Sequence, residues 1–180
     1  MLPIEIPGGE FWDELKQEFV YTPNRMLELE HSLVSISKWE SKWNKAFLSK
    51  REKTTEEIMD YIQCMTLTPN VPPEAYVGLT KKNVDQIRDY ISAPMTATVI
   101  SQSKQGGGGR DTVTSELIYW WMITLNIPFE CQYWHLNRLL TLIQVCNVKN
   151  APPKKTGRRE LASQYAAQNA ARRKQLGSRG

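Results

Sequence analysis

The stretch SELIYWWMITL at residues 115–125, followed by NIPFECQYWHLNRLLTLIQVCNV at 126–148, carries the strongest structural signal in this sequence. The first segment is apolar on all sides of a helix, which predicts a central buried helix capped by Asp111, Thr112 or Thr114. Asn126-Ile127-Pro128 then forms a tight break. Because proline suits the first turn of a helix, a second long helix is expected over 128–148. We therefore predict a helical hairpin in which each helix buries the other, with Trp121 or its neighbours in the core.

Upstream of this hairpin the hydrophobic period changes once, from the spacing of strands to that of helices. Short stretches at 2–6, 18–22 and 26–30 alternate apolar and polar residues, which is typical of strands and predicts a small N-terminal β hairpin. Helical spacing then takes over. It predicts a helix from Leu33 to Trp43 capped by Ser32, one through 58–65 capped by Thr54 or Thr55, a helical turn near Ala75, and one capped by Thr80 and stopped by Pro94. The fold class is mainly α (α+β).

A glycine-rich insert interrupts the helical pattern at 102–110. Four consecutive glycines, residues 106–109, have a large conformational entropy to lose on ordering, which predicts a mobile loop. A phosphate-binding loop is disfavoured because no Lys-Ser/Thr follows the glycines.

Charge divides the chain into an acidic body and a basic tail. Residues 150–180 include eight basic residues and a single acid, Glu160, so the net charge of that segment is +7. The net charge of the whole chain is +4, so that of residues 1–149 is −3. We predict two parts: a mostly helical globular domain at 1–150, and a basic, Ala-rich tail at 151–180 that is flexible or helical on binding. The basic residues are Lys154, Lys155, Arg158, Arg159, Arg172, Arg173, Lys174 and Arg179.

The sequence offers no catalytic constellation. Cys131 and His135 are four residues apart on the predicted second helix, but zinc needs three or four ligands. His135 is therefore interpreted as a hydrogen-bonded core histidine. The remaining histidine, His31, lies in a strand-like stretch without a ligand motif. We expect no enzyme activity, no metal and no cofactor. The longest uncharged apolar run, 117–123, is far shorter than the roughly 20 residues of a membrane helix, so no membrane association is expected.

Aromatic and basic side chains remain as candidates for a partner-binding surface. Most of the tryptophans and tyrosines are expected in the core, but both residue types are also enriched among interface anchors. Clustered Lys and Arg attract nucleic acid as well as protein. Protein docking is favoured here because the tail has one aromatic residue where a nucleic-acid binder would have several. The candidate residues are Trp120, Trp134, Tyr165, Arg158, Arg159, Arg172, Arg173 and Lys174.

Four groups of segments resemble a known family. They read LEHSLVSISKWESKW at 29–43, SELIYWWM at 115–122, IPFEC at 127–131 with WHLNRLL at 134–140, and PPKK at 152–155 with NAARRK at 169–174. Together they are similar to tail assembly chaperones of long-tailed bacteriophages and prophages. The resemblance covers nearly the whole chain and is weakest at the glycine insert. It is a similarity of sequence and includes no catalytic motif.

The resemblance implies a protein of the host bacterial cytoplasm that is absent from the mature virion. Such a protein binds the long, aggregation-prone tape measure protein and passes it to the tail tube protein during assembly. Formation of a homo-oligomer stays open. The main alternative is a virion structural protein, such as a neck or tail adaptor. A second alternative is a small nucleic-acid-binding module.

Overall fold

The computed structural model describes residues 1–14, 17–98, 112–151 and 158–176. Its N-terminal part consists of two antiparallel ribbons, one nested inside the other along the chain. Strand β1 (Leu2–Ile6) pairs with β4 (Arg25–Leu29), and β2 (Gly9–Asp13) pairs with β3 (Glu18–Thr22). Ile4 and Ile6 alternate inward and are buried, as are Leu27 and Leu29 on the partner strand. The predicted N-terminal β element is confirmed, and β2 is the strand that the sequence analysis missed.

The helices follow in the predicted order. They are α1 (Leu33–Trp43), α2 (Thr55–Met65), a 3₁₀ helix (Pro73–Gly78), α3 (Lys81–Ser92), α4 (Ser115–Thr124), a second 3₁₀ helix (Phe129–Tyr133), α5 (Leu136–Asn150) and α6 (Arg158–Leu176). Side chains of Ser32, Thr54, Thr80 and Thr114 each accept a backbone hydrogen bond at the start of a helix, as expected of N-caps. The mainly α class is therefore confirmed. The predicted glycine-rich loop at 102–110 lies outside the described residues.

Helix α1, and not α4, forms the centre of the core. Leu33, Ile36 and Trp39 are fully buried, and the indole Nε1 of Trp39 donates to the backbone oxygen of Glu57 at 2.8 Å. Helix α4 contributes one face only. Ile118 and Met122 are buried, whereas Trp120 and Ile123 are more than half exposed. The prediction of a helix buried on all sides is therefore wrong. Trp121 itself is only half-buried, while its neighbour Met122 is in the core.

The predicted helical hairpin is also wrong. The chain forms a 3₁₀ helix at Phe129–Tyr133 and turns extended at Trp134, and α5 begins only at Leu136. The reason is a backbone contact with a distant segment. The N–H of Leu136 donates to the oxygen of His31 at 2.7 Å, and His135 forms a β-bridge with Ser32. Among the described residues α4 accordingly packs mainly on α1 and has little contact with α5.

The chain divides into two compact units, Met1–Lys149 and Asn150–Gly180. The first contains both ribbons and the core. The second contains α6, whose described side chains are all exposed. No helix in the described ranges is long and apolar enough to cross a membrane.

Candidate functional site

Helix α4 and the following 3₁₀ helix carry four exposed apolar side chains, Trp120, Ile123, Phe129 and Tyr133, which together we call the aromatic corner. These side chains are 57%, 59%, 53% and 63% exposed. Tyr119 connects the two helices. Its ring lies 6.4 Å from that of Phe129, and its hydroxyl donates to Gln132 Oε1 at 2.9 Å.

The sharp end of α4 creates this corner. Asn126 adopts a left-handed conformation with φ of 52°, which asparagine tolerates better than most residues. The N–H of Ile127 then donates back to the oxygen of Met122 at 2.8 Å, and Ile127 is buried. Pro128 starts the 3₁₀ helix, so Phe129 and Tyr133 emerge beside α4. Burial and the nearby Tyr133 together raise the pKa of Tyr119, consistent with close packing at this turn.

The structure separates the two tryptophans that the sequence proposed for partner binding. Trp120 lies in the aromatic corner. Trp134 is half-buried against the core, and the guanidinium of Arg138 covers its ring at 4.0 Å from the centroid. It therefore offers less free surface than Trp120. The candidates taken from the sequence did not include Ile123, Phe129 or Tyr133. The break at 126–128 could have indicated these residues. A helix that stops there leaves side chains near its end, and those of the following turn, beside solvent.

The remaining candidates lie on α6. Tyr165 is 62% exposed, and Arg172 and Arg173 are exposed as well. Arg158, Arg159 and Lys174 belong to the same helix. Of the six residues, five are basic, so α6 presents a strongly cationic helix with one aromatic side chain.

A groove of about 790 Å³ lies beside Trp121, on the side of α4 that faces α5. Trp121, Leu140 and Ile143 provide apolar lining, and Gln144 and Asn147 provide polar lining. The half-buried position of Trp121 follows from this groove, because the two helices do not close on each other as the hairpin prediction requires.

The two histidines of the chain meet in the core, which the sequence analysis did not foresee. The His31 and His135 rings are 5.1 Å apart, and both side chains are buried. His135 Nε2 donates to the oxygen of Tyr90 at 3.0 Å, and its Nδ1 accepts from the N–H of Asn137 at 3.3 Å. His31 Nδ1 is hydrogen-bonded to the Tyr61 hydroxyl. The interpretation of His135 as a hydrogen-bonded core histidine is confirmed.

The same geometry bears on Cys131 and His135 as possible metal ligands. Cys131 lies in the 3₁₀ helix and His135 just before α5, so the two do not share a helix as predicted. Burial lowers the pKa of both histidines, and the neighbouring His135 helps to bring that of His31 to about 3. Burial also raises the pKa of Cys131. Within the described ranges no group of three or more His, Cys, Asp or Glu residues is placed to hold a metal ion.

The arrangement therefore offers surfaces for binding: an aromatic corner, an apolar groove and a cationic helix. Two exposed rings on the inner ribbon, Trp12 and Phe19, pack edge to face at 5.1 Å and add a smaller aromatic surface. Comparison of the chain with protein-family models, with curated proteins and with solved structures finds no match.

Proposed function

We propose that this chain is a tail assembly chaperone of a long-tailed bacteriophage or prophage. It binds the tape measure protein, keeps it soluble and assists assembly of the tail tube, without turnover of any substrate. The observation that carries the proposal is the aromatic corner, where Trp120, Ile123, Phe129 and Tyr133 are each more than half exposed. The sequence resemblance to tail assembly chaperones supplies the identity of the partner.

An exposed surface of this composition suits capture of another apolar surface. Contiguous apolar side chains on a protein surface mark interaction sites, and tryptophan and tyrosine are enriched among residues that dominate binding energy. Burying a large apolar side chain contributes about 1.5–3 kcal/mol. The apolar face of an aggregation-prone helix in the tape measure protein is thus a suitable partner for the aromatic corner.

Helix α6 supplies the second part of the mechanism. Its basic residues accelerate encounter with acidic surfaces, while apolar contacts at the corner hold the complex. The helix is rich in alanine, and its hydrophobic residues are few. A helix with so few hydrophobic residues is stabilised mainly by packing against a partner. Tyr165, Arg158, Arg159, Arg172, Arg173 and Lys174 are the residues proposed for this role.

The test is co-expression with a tape measure protein from the phage or prophage that encodes this chain, followed by pull-down at low and high salt. We expect the full chain to keep that protein soluble and to capture it. The double variant Trp120→Ala/Tyr133→Ala should weaken capture at both salt concentrations. Deletion of residues 154–180 should weaken it mainly at low salt, because the electrostatic contribution is already screened at high salt.

A control is Leu67→Ala, which truncates an apolar side chain that is 50% exposed just after α2, outside the aromatic corner and outside the inner ribbon. It should leave capture unchanged. A full chain that neither captures nor solubilises the tape measure protein but shifts DNA in a gel would replace the proposal with the nucleic-acid module. Recovery of the chain from purified particles at a fixed stoichiometry would favour the neck or tail adaptor.

A further inference from the structure

A second groove, of about 760 Å³, is lined by residues that the proposed function does not use. Helices α1 and α2, the first 3₁₀ helix and the turn after β2 all contribute to it. Trp43, Met59 and Val77 give it an apolar lining, and Glu14, Glu56 and Asp60 are among its acidic residues. We call it the acidic groove.

The charged residues of this groove are mostly acidic. Asp60 is buried, accepts from Trp43 Nε1 at 2.9 Å and forms an ion pair with Lys42. Lys42 is the basic residue among the described lining residues, so acidic residues outnumber it. Glu14 and Glu56 are exposed. The groove therefore fits a cationic segment that also carries an apolar side chain.

Helix α6 has this chemistry. Tyr165, Asn169 and Arg172 fall on one helical face, at spacings of four and seven residues, and all three are exposed. An aromatic ring on this face is thus followed two turns later by a guanidinium, with Arg173 next to it. The whole segment 150–180 carries +7 against −3 for the rest of the chain.

We propose that the acidic groove binds helix α6 of a second copy of this chain, with Tyr165 against the apolar lining and Arg172 and Arg173 at the carboxylates. Self-association of this kind goes beyond the proposed capture of a partner. It uses residues of α6 that the proposed function also assigns to capture, but no residue of the aromatic corner lines the groove, and the test below uses this chain alone. The complementary charges predict association that weakens as salt rises.

The test uses sedimentation of the full chain over a range of protein and salt concentrations. We expect dimers or larger species that dissociate at high salt. Glu56→Lys, and separately Arg172→Glu, should each weaken association about tenfold or more, since each places like charges at the contact. Glu116→Lys is the matched control. Glu116, like Glu56, is an exposed acid in the first turn of a helix, but it lies outside the groove.

Mixing the two variants identifies the occupant. A Glu56→Lys chain keeps an intact α6 and an Arg172→Glu chain keeps an intact groove, so an equimolar mixture should regain association that neither variant shows alone. Thermal melts check that each variant folds, and Glu56→Gln replaces Glu56→Lys if the latter does not. A wild-type chain that stays monomeric, a mixture that stays monomeric, or an equal loss with Glu116→Lys would overturn the proposal.

Discussion

The carboxylate of Glu40 accepts a hydrogen bond from the backbone N–H of Ser115 at 2.7 Å and so ties α1 to the first residue of α4. Its other oxygen accepts from the N–H of Phe47 at 2.7 Å. The Glu40 side chain is buried, and Ser115 and Phe47 are buried around it. One acidic residue therefore joins the central helix, the loop after it and the helix that carries Trp120.

We expect Glu40→Ala to destabilise the fold by about 2–5 kcal/mol, because two buried N–H groups lose a charged acceptor at once. Urea unfolding at neutral pH measures this loss. Asp89→Ala, which removes an exposed acid from α3, should change stability by less than about 0.5 kcal/mol. Equal effects of the two substitutions would contradict the role given to Glu40.

The two faces of α4 should respond differently to truncation. Met122→Ala removes a fully buried side chain and should cost about 2–5 kcal/mol, as large-to-small changes in a core do. Trp120→Ala removes an exposed ring and should leave the melting temperature nearly unchanged while it weakens capture of the partner. Thermal melts and pull-downs on the same preparations separate the two effects. A large loss of stability in Trp120→Ala would place that ring in a contact that the structure does not show.

The His31–His135 pair should make stability fall as the pH is lowered from 7.5 to 5. Burial lowers the pKa of His31 to about 3, against an ordinary value of 6.5. Below pH 6.5 the unfolded chain therefore binds a proton that the folded chain excludes, and stability rises with pH in this window. The slope from one histidine is at most about 1.4 kcal/mol per pH unit.

Urea midpoints at several pH values measure this slope, and His31→Gln should reduce it. The window also lies above the pH range in which Glu57 gains a proton. Hydrogen bonds from Lys45 and Arg51 lower the pKa of Glu57 to about 2, so its contribution is present above pH 4.5 and is lost only as the pH falls from there toward 2. A wild-type midpoint that does not change between pH 7.5 and 5 would rule out a buried neutral His31.

Asn137, in the first turn of α5, connects that helix to the C-terminal end of α3. Its Nδ2 donates to the oxygens of Ile91 and Ala93, at 3.0 and 2.8 Å, and so satisfies the C-terminal end of α3. Asn137→Ala should cost about 1–3 kcal/mol because these carbonyls lose their donor. Asn147→Ala, at an exposed position of the same helix, should be close to neutral. If both substitutions are neutral in urea unfolding, α5 does not pack against the end of α3 as described.

Local signals in the sequence were enough to predict the starts of α1, α2, α3 and α4 and three of the four strands. Ser32, Thr54, Thr80 and Thr114 act on backbone groups within a few residues, and such patterns are readable without tertiary information. The face that α4 buries was not readable, because a segment that is apolar all round has no preferred side. The start of α5 depends on the pairing of His135 and Leu136 with residues 31 and 32, which no local pattern encodes.

The same distinction holds for the candidate site. Trp120 was found from its residue type and its place near a break, but Trp134 has the same type and is half-buried under Arg138. The meeting of His31 and His135 depends on the same long-range pairing. Partner binding by Trp120 and by the basic residues of α6 stays a prediction that the capture experiment decides.

The hydrogen bond from Leu136 to His31 joins two segments that are synthesised at different times during translation. Residues 31–39 leave the ribosome long before 118–143, which supply Ile118, Met122, Leu136, Leu139 and Ile143 to the core. The nascent N-terminal half therefore exposes apolar faces of α1 until the C-terminal half is synthesised. Chains that stop before Leu136 therefore lack the segment that closes the core over Leu33, Ile36 and Trp39.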